Sequence, residues 1–219
     1  MVVVKPAPQT AKAAPPSAGR QMLDELGIRP RIAFPFSPRK AIAALHFLAG
    51  LMSSPRRVEH PMLHFKGIMA VLWIADVRHF QEHRRPITGT RWQAYPQGPV
   101  PGDVFALLRN DPLWLAELPE THYSVPFELQ GDCVTRNLRI PFGYDPKKIL
   151  GQSDRDALEK AVATAKDLKR TRRVDALRGE AYQLTPLYQD IPWELMLPPK
   201  MRSKAMIDEL ISTARDTAL

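Results

Sequence analysis

The sequence predicts a mainly α fold with a small β-hairpin (α+β), a compact helical domain around a central apolar helix. Three observations lead there. Apolar residues recur at spacings of three and four along several stretches, which is the period of a helix with one buried stripe. One stretch, Ile68 to Ala75, is apolar on every face and therefore belongs inside the others. A single pair of alternating segments flanks the turn-forming Gln130-Gly131-Asp132, as in a hairpin.

Along the chain, residues 1–36 read as a disordered or extended N-terminal arm. Val4-Lys5-Pro6-Ala7-Pro8 and Ala13-Ala14-Pro15-Pro16 hold few groups worth burying, and their prolines favour extended conformations. A short helical piece is expected at Met22 to Leu26, and Arg29 to Phe36 is expected as an extended lead-in. Ser37-Pro38 opens the first firm helix: serine caps orphan amides, and proline suits the first turn. Ile42, Leu45, Ala49 and Met52 make its stripe, and Ser53-Ser54-Pro55 ends it. The central helix is expected from about Pro61 to His83.

Arg85-Pro86-Ile87-Thr88-Gly89 then reads as a turn, Arg91 to Tyr95 as one strand or a loop, and Gly98-Pro99-Val100-Pro101 as a rigid lead into a helix over Gly102 to Arg109. Tyr123, Val125, Phe127 and Leu129 pair with Val134, Leu138 and Ile140 across the hairpin turn, with Pro126 favouring an edge strand. Ser153-Asp154-Arg155-Asp156 carries a helix-start signal ahead of Leu158, Val162, Ala165 and Leu168. Met206, Ile207, Leu210, Ile211 and Ala214 give the last helix a narrow stripe that must dock on something. The expected organisation is an arm at 1–36, a domain at 37–197 and a C-terminal amphipathic helix within 198–219.

Composition narrows the function. The 219 residues are 44% hydrophobic and 25% charged, enough for a core, so a wholly disordered chain is excluded. The apolar run Gly67 to Ala75 is less than half of the ~20 residues that span a membrane. With no apolar signal region after Val2-Val3-Val4, a cytoplasmic location is expected. The one cysteine, Cys133, excludes an internal disulfide and paired-cysteine zinc sites. Lys and Arg exceed Asp and Glu by 31 to 23, a net +8 that suits an acidic partner, whether protein or nucleic acid.

No catalytic, metal or cofactor site is expected. His60 and His64, like His79 and His83, stand four apart, but neither pair has a compact third ligand. Asp76 and His79 stand three apart, where a carboxylate can orient an imidazole, yet no motif supplies a nucleophile. Phosphate-cradling glycine loops are absent. The densest basic run holds Lys169, Arg170, Arg172 and Arg173, the candidate nucleic-acid contacts in an alternative reading as an operon-regulating binding protein.

The order Val71-Leu72-Trp73-Ile74-Ala75-Asp76, Arg78-His79-Phe80, Arg85-Pro86-Ile87-Thr88-Gly89, Arg91-Trp92-Gln93-Ala94-Tyr95 and Gly98-Pro99-Val100-Pro101 resembles the Panacea domain of SocA-like antitoxins. Ile191-Pro192-Trp193 resembles the close of that family's C-terminal half. Against the family pattern, Ala70, Trp73 and Arg84 replace the usual lysine, tyrosine and glycine. The resemblance implies a non-enzymatic antitoxin of a bacterial or phage toxin–antitoxin system, which neutralises a co-encoded toxin by direct protein contact. An alternative it also implies is an adapter that delivers the toxin to the ClpXP protease. Trp73, Asp76, His79, Pro86, Gly89, Gly98, Pro99, Val100 and Trp193 are expected to fix the domain's geometry. Arg91, Trp92 and Tyr95 are the candidate partner contacts, on the expectation that they are exposed.

Overall fold

The computed structural model describes residues 32–52, 63–116, 118, 127–130, 133–136, 145–167 and 179–216, together with Gln21 and Glu25; the side chains of 63–64, 127–130, 133–136 and 216 are outside that description. The expected helix at Met22 to Leu26, Pro126 and the basic run at 169–173 fall outside it as well, apart from Glu25.

Three helices form the centre: α1 (Pro38–Met52), α2 (Phe65–His83) and α5 (Gln152–Asp167), with α2 packed on both others. Ser37 starts α1, its Oγ accepting from the Lys40 amide and its carbonyl from Ala41. The stripe expected for α1 is too narrow. Ala41, Ala43, Ala44, Phe47 and Leu48 are buried along with Ile42, Leu45 and Ala49, because this helix is covered on most sides. Buried residues of α2 run from Ile68 to Phe80, and they include Asp76 and His79.

α2 begins at Phe65, not Pro61, since Leu63–His64 forms strand β1 and pairs with Val134 and Cys133. His64 therefore stands in a strand and not on the expected helix, and His60 lies outside the described residues. The expected hairpin is β4 (Phe127–Gln130) with β5 (Cys133–Arg136), antiparallel with Gln130 opposite Cys133; β1 adds to β5, and β4 lies at the edge.

A second hairpin replaces the expected strand-or-loop and rigid lead-in. β2 (Trp92–Tyr95) pairs with β3 (Gly98–Pro101), Trp92 opposite Pro101 and Ala94 opposite Pro99. Two prolines fit because they stand at alternate positions. Trp92 and Ala94 spend their backbone groups on the other side, where Ala94 donates to Gln189 and accepts from Tyr188, and Trp92 accepts from Ile191. Pro99 and Pro101 thus occupy sites where β2 needs no N–H from them.

Short helices α3 (Gly102–Leu108), α4 (Pro112–Leu115), α6 (Glu180–Gln183) and α7 (Trp193–Met196) cover the centre, and α8 (Lys204–Asp216) closes the chain. Along 32–36 the burial alternates: Ile32, Phe34 and Phe36 face in, Ala33 and Pro35 face out. The end of the expected arm is therefore part of the core. Phe34 meets Phe80 and Trp193 edge-on at 5.6 and 5.4 Å, and the Ile32 amide donates to Glu194. Ile207, Leu210 and Ala214 bury the stripe of α8.

Candidate functional site

Two buried carboxylates organise the family-motif residues. Asp76, past the midpoint of α2, has no exposed surface and accepts four hydrogen bonds. Its Oδ1 takes the amides of Ile87 (2.9 Å) and Thr88 (3.3 Å); its Oδ2 takes the Thr88 hydroxyl (3.0 Å) and the Trp92 indole N–H (3.2 Å). Burial pushes the Asp76 carboxyl above its ordinary range, and the bonds from Ile87, Thr88 and Trp92 only partly offset it. One side chain thus fixes the 86–90 turn and the first residue of β2.

Gly89 completes that turn at φ +73°, with Pro35 so close that a Cβ would lie 2.1 Å from its carbonyl oxygen. The Ser37 amide donates to Thr88, tying the 32–37 segment to the same turn. Gly98, at φ +128°, lets the chain reverse between β2 and β3.

Asp154 is the second carboxylate. Its partner pattern corrects the expected Asp76–His79 pairing, because the carboxylate beside the His79 ring comes from α5. His79 Nδ1 donates to the Arg85 carbonyl (2.7 Å), while Nε2 lies 3.1 Å from both Ser153 Oγ and Asp154 Oδ1. Arg85 and Lys40 each reach Asp154 at 3.1 Å. Burial pushes the Asp154 carboxyl up, but the His79 bond and the charges of Lys40 and Arg85 outweigh it and hold the group well below the usual carboxylate range. Asp154 Oδ2 also accepts the Gly151 amide, so the helix-start signal at 153–156 is real but its cap is Gly151.

His79 and His83 meet at a tilt of 41° with ring centroids 4.6 Å apart, but the nitrogens of His79 are already engaged. Among the described residues no three His, Cys, Asp or Glu side chains gather as a metal site would require, and no helix is long and apolar enough to cross a membrane.

The three candidate partner contacts separate. Trp92 has no exposed surface; its indole packs edge-on against Trp73 at 5.0 Å and serves Asp76, so the expectation that it faces a partner is corrected. The pleat of β2 sends it inward with Ala94 and sends Arg91, Gln93 and Tyr95 the other way. Arg91 is exposed and grips the buried Asp103 through its backbone amide (2.7 Å) and guanidinium (2.8 Å), which raises its already high pKa. Gln93 donates to Asp190 (3.0 Å), and Tyr95 meets Tyr188 edge-on at 5.3 Å.

That brings in residues the sequence did not mark. Leu187 and Tyr188 are 48% and 66% exposed beside the outward face of β2. Tyr188 sits at φ +67°, a conformation that costs a bulky residue on the order of 1 kcal/mol or more. It is held by donating its amide to Ala94 at 2.6 Å. Only the alternation of Arg91, Gln93 and Tyr95 signalled this face; Tyr188 and Asp190 join it through pairing almost a hundred residues away in sequence. A groove of about 650 Å³ opens beside it, with Phe34, Pro192 and Trp193 among its apolar lining and Arg91 and Asp190 on its polar side.

The family model described as "Antitoxin SocA-like, Panacea domain" matches residues 68–180, just over half of the chain. The chain belongs to the SocA-like antitoxin family. The Panacea match spans most of α2, both hairpins and α5, and so contains Asp76, His79, Gly89, Arg91 and Asp154. Comparisons with curated proteins and with solved structures return no significant match. The 185–191 segment that supplies Tyr188 to the exposed face lies just beyond the matched Panacea residues.

Proposed function

We propose that this chain is an antitoxin that neutralises a toxin encoded next to it by direct protein contact, acting in the cytoplasm, and that Arg91, Gln93, Tyr95, Leu187 and Tyr188 form the contact. The observation that carries the reading is Tyr188: a two-thirds-exposed aromatic held in a left-handed backbone conformation, in a chain of antitoxin family. Strain of that kind concentrates where a side chain is displayed for a purpose. The face combines tyrosine and arginine, the residues that dominate binding energy at protein interfaces, with a rim of polar groups.

The test is growth of cells expressing the adjacent open reading frame, with and without this chain. Relief of toxicity by the parent, lost with Tyr188→Ala, supports the reading. Rescue that survives removal of both Tyr188 and Arg91 places the contact elsewhere. Repeating the rescue in cells lacking ClpXP separates occlusion from delivery to that protease. The basic run at 166–178 motivates the nucleic-acid alternative, and binding to the operon's DNA that fails to weaken with salt argues against it.

A further inference from the structure

A second cavity, of about 380 Å³, lies between the 34–37 segment and the 85–89 turn. Lys40 and Arg85 both line it, with the Ser37 hydroxyl beside them. The two cations are held on the two oxygens of one carboxylate: Lys40 Nζ on Asp154 Oδ2 and Arg85 on Oδ1, each at 3.1 Å. Arg85 is braced again by Ser153 at 3.3 Å. Asp154 is buried behind them, whereas the Lys40 and Arg85 side chains keep 30% and 35% of their surface exposed.

Charge does not balance here. Two fixed cations face one carboxylate, and Arg39, exposed in the first turn of α1, does not line the cavity. That turn carries no acidic residue, so Arg39 and Lys40 stand at the positive end of a 15-residue helix, where cations are disfavoured. The other nearby carboxylate, Asp76, lies on the buried side of the 87–88 turn with four donors already on it. Both cations are pre-oriented by Asp154, so a ligand would not have to order them.

We infer that this cavity is an oxyanion subsite, in which Lys40 and Arg85 together grip a phosphate or carboxylate group. Arg85 offers its remaining N–H groups in a planar fork suited to two oxygens, and Lys40 supplies a point charge beside it. The same chemistry is presented by free phosphate and by an acidic side chain of a partner. The subsite does not depend on the toxin reading, because it uses none of the residues of the tyrosine face.

The experiment is titration of the full chain, at constant ionic strength, with inorganic phosphate and separately with acetate, followed by backbone amide NMR shifts. Saturable shifts centred on Lys40, Arg85 and Gly89, with a dissociation constant on the order of 1–10 mM for phosphate, are expected. Lys40→Gln should weaken that binding roughly tenfold while its other resonances stay in place. Arg109→Gln, removing an exposed cation elsewhere, should leave it unchanged. Saturation by acetate as well identifies carboxylates, hence acidic side chains, as fitting occupants; saturation by phosphate alone confines the site to phosphate groups. Shifts that rise linearly with both probes, or phosphate binding indifferent to Lys40→Gln, would overturn the assignment.

Discussion

Replacing Asp76 by Asn keeps the shape of the side chain and removes one acceptor from a site with four donors. The amide oxygen fits best at the Oδ1 position, where it still accepts from the Ile87 and Thr88 amides. The amide NH2 then faces the Thr88 hydroxyl and the Trp92 indole. Thr88 can rotate to accept; Trp92 cannot, because an indole nitrogen only donates. One buried N–H is orphaned, at about 1–3 kcal/mol, and two backbone bonds lose their charge assistance, at about 0.5–1 kcal/mol each. Relief of a buried charge offsets part of this, leaving an expected loss of about 2–3 kcal/mol. Urea denaturation followed by circular dichroism measures it without relying on Trp92 fluorescence. Because the orphan is the indole, Trp92→Phe should cost less in the Asp76→Asn background than in the parent, with a coupling of about 1 kcal/mol. An Asp76→Asn chain within about 0.5 kcal/mol of the parent, or two losses that simply add, would refute the account.

The remaining predictions use other parts of the same frame. Gly89→Ala should destabilise by about 2–4 kcal/mol, since a Cβ there meets Pro35 backbone at 2.1 Å and φ is +73°. Gly50→Ala, in the last turn of α1 with nothing within 4 Å, should instead stabilise, by at most about 0.5–1 kcal/mol; equal effects in denaturant melts would sink the packing argument. The folded-state pKa of Asp154 is lowered, so its stabilisation is present above the unfolded value of about 3.9 and is lost as pH falls from there through the folded value. The stability gap between the parent and Asp154→Asn should therefore be full at pH 6 and narrow below about pH 4; a gap constant with pH contradicts it. Tyr188→Gly should relieve the backbone strain and leave stability within about 0.5 kcal/mol of the parent, while weakening toxin binding roughly thirtyfold by titration calorimetry; unchanged binding removes Tyr188 from the interface.

Periodicity made the helices legible, because each large helix buries a face whose spacing is written in the chain. Ile68 to Ala75 announced the central helix, and Ser37-Pro38 announced where α1 starts. The hairpin at 92–101 was hidden by Pro99 and Pro101, which read as breakers until the pairing shows that both stand where β2 bonds elsewhere. Trp92 was misplaced for a related reason. An aromatic in a proline-flanked passage looks exposed, and only the pleat of β2 shows which way it points. Asp154 was read only as part of a helix-start signal at 153–156, and its Oδ2 does accept the Gly151 amide. Its second role needed Lys40 and Arg85, which arrive from positions 114 and 69 residues away in sequence.

The two carboxylates divide the labour between fold and surface. Asp76 faces inward and binds neutral donors from one short stretch, residues 87–92, so its effect is local: it sets the turn and aims β2. Asp154 gathers Lys40 from α1, His79 from α2 and Arg85 from the 85–89 turn, and so fixes where three separate elements meet. Because β2 is aimed by Asp76, the outward positions Arg91, Gln93 and Tyr95 follow from a group that never touches the surface. A substitution at Asp76 should thus disturb the tyrosine face through β2, whereas one at Asp154 should act first on the cationic cavity. Amide shift changes in Asp76→Asn and Asp154→Asn distinguish these routes: changes at 93–95 in the first, and at Lys40 and Arg85 in the second.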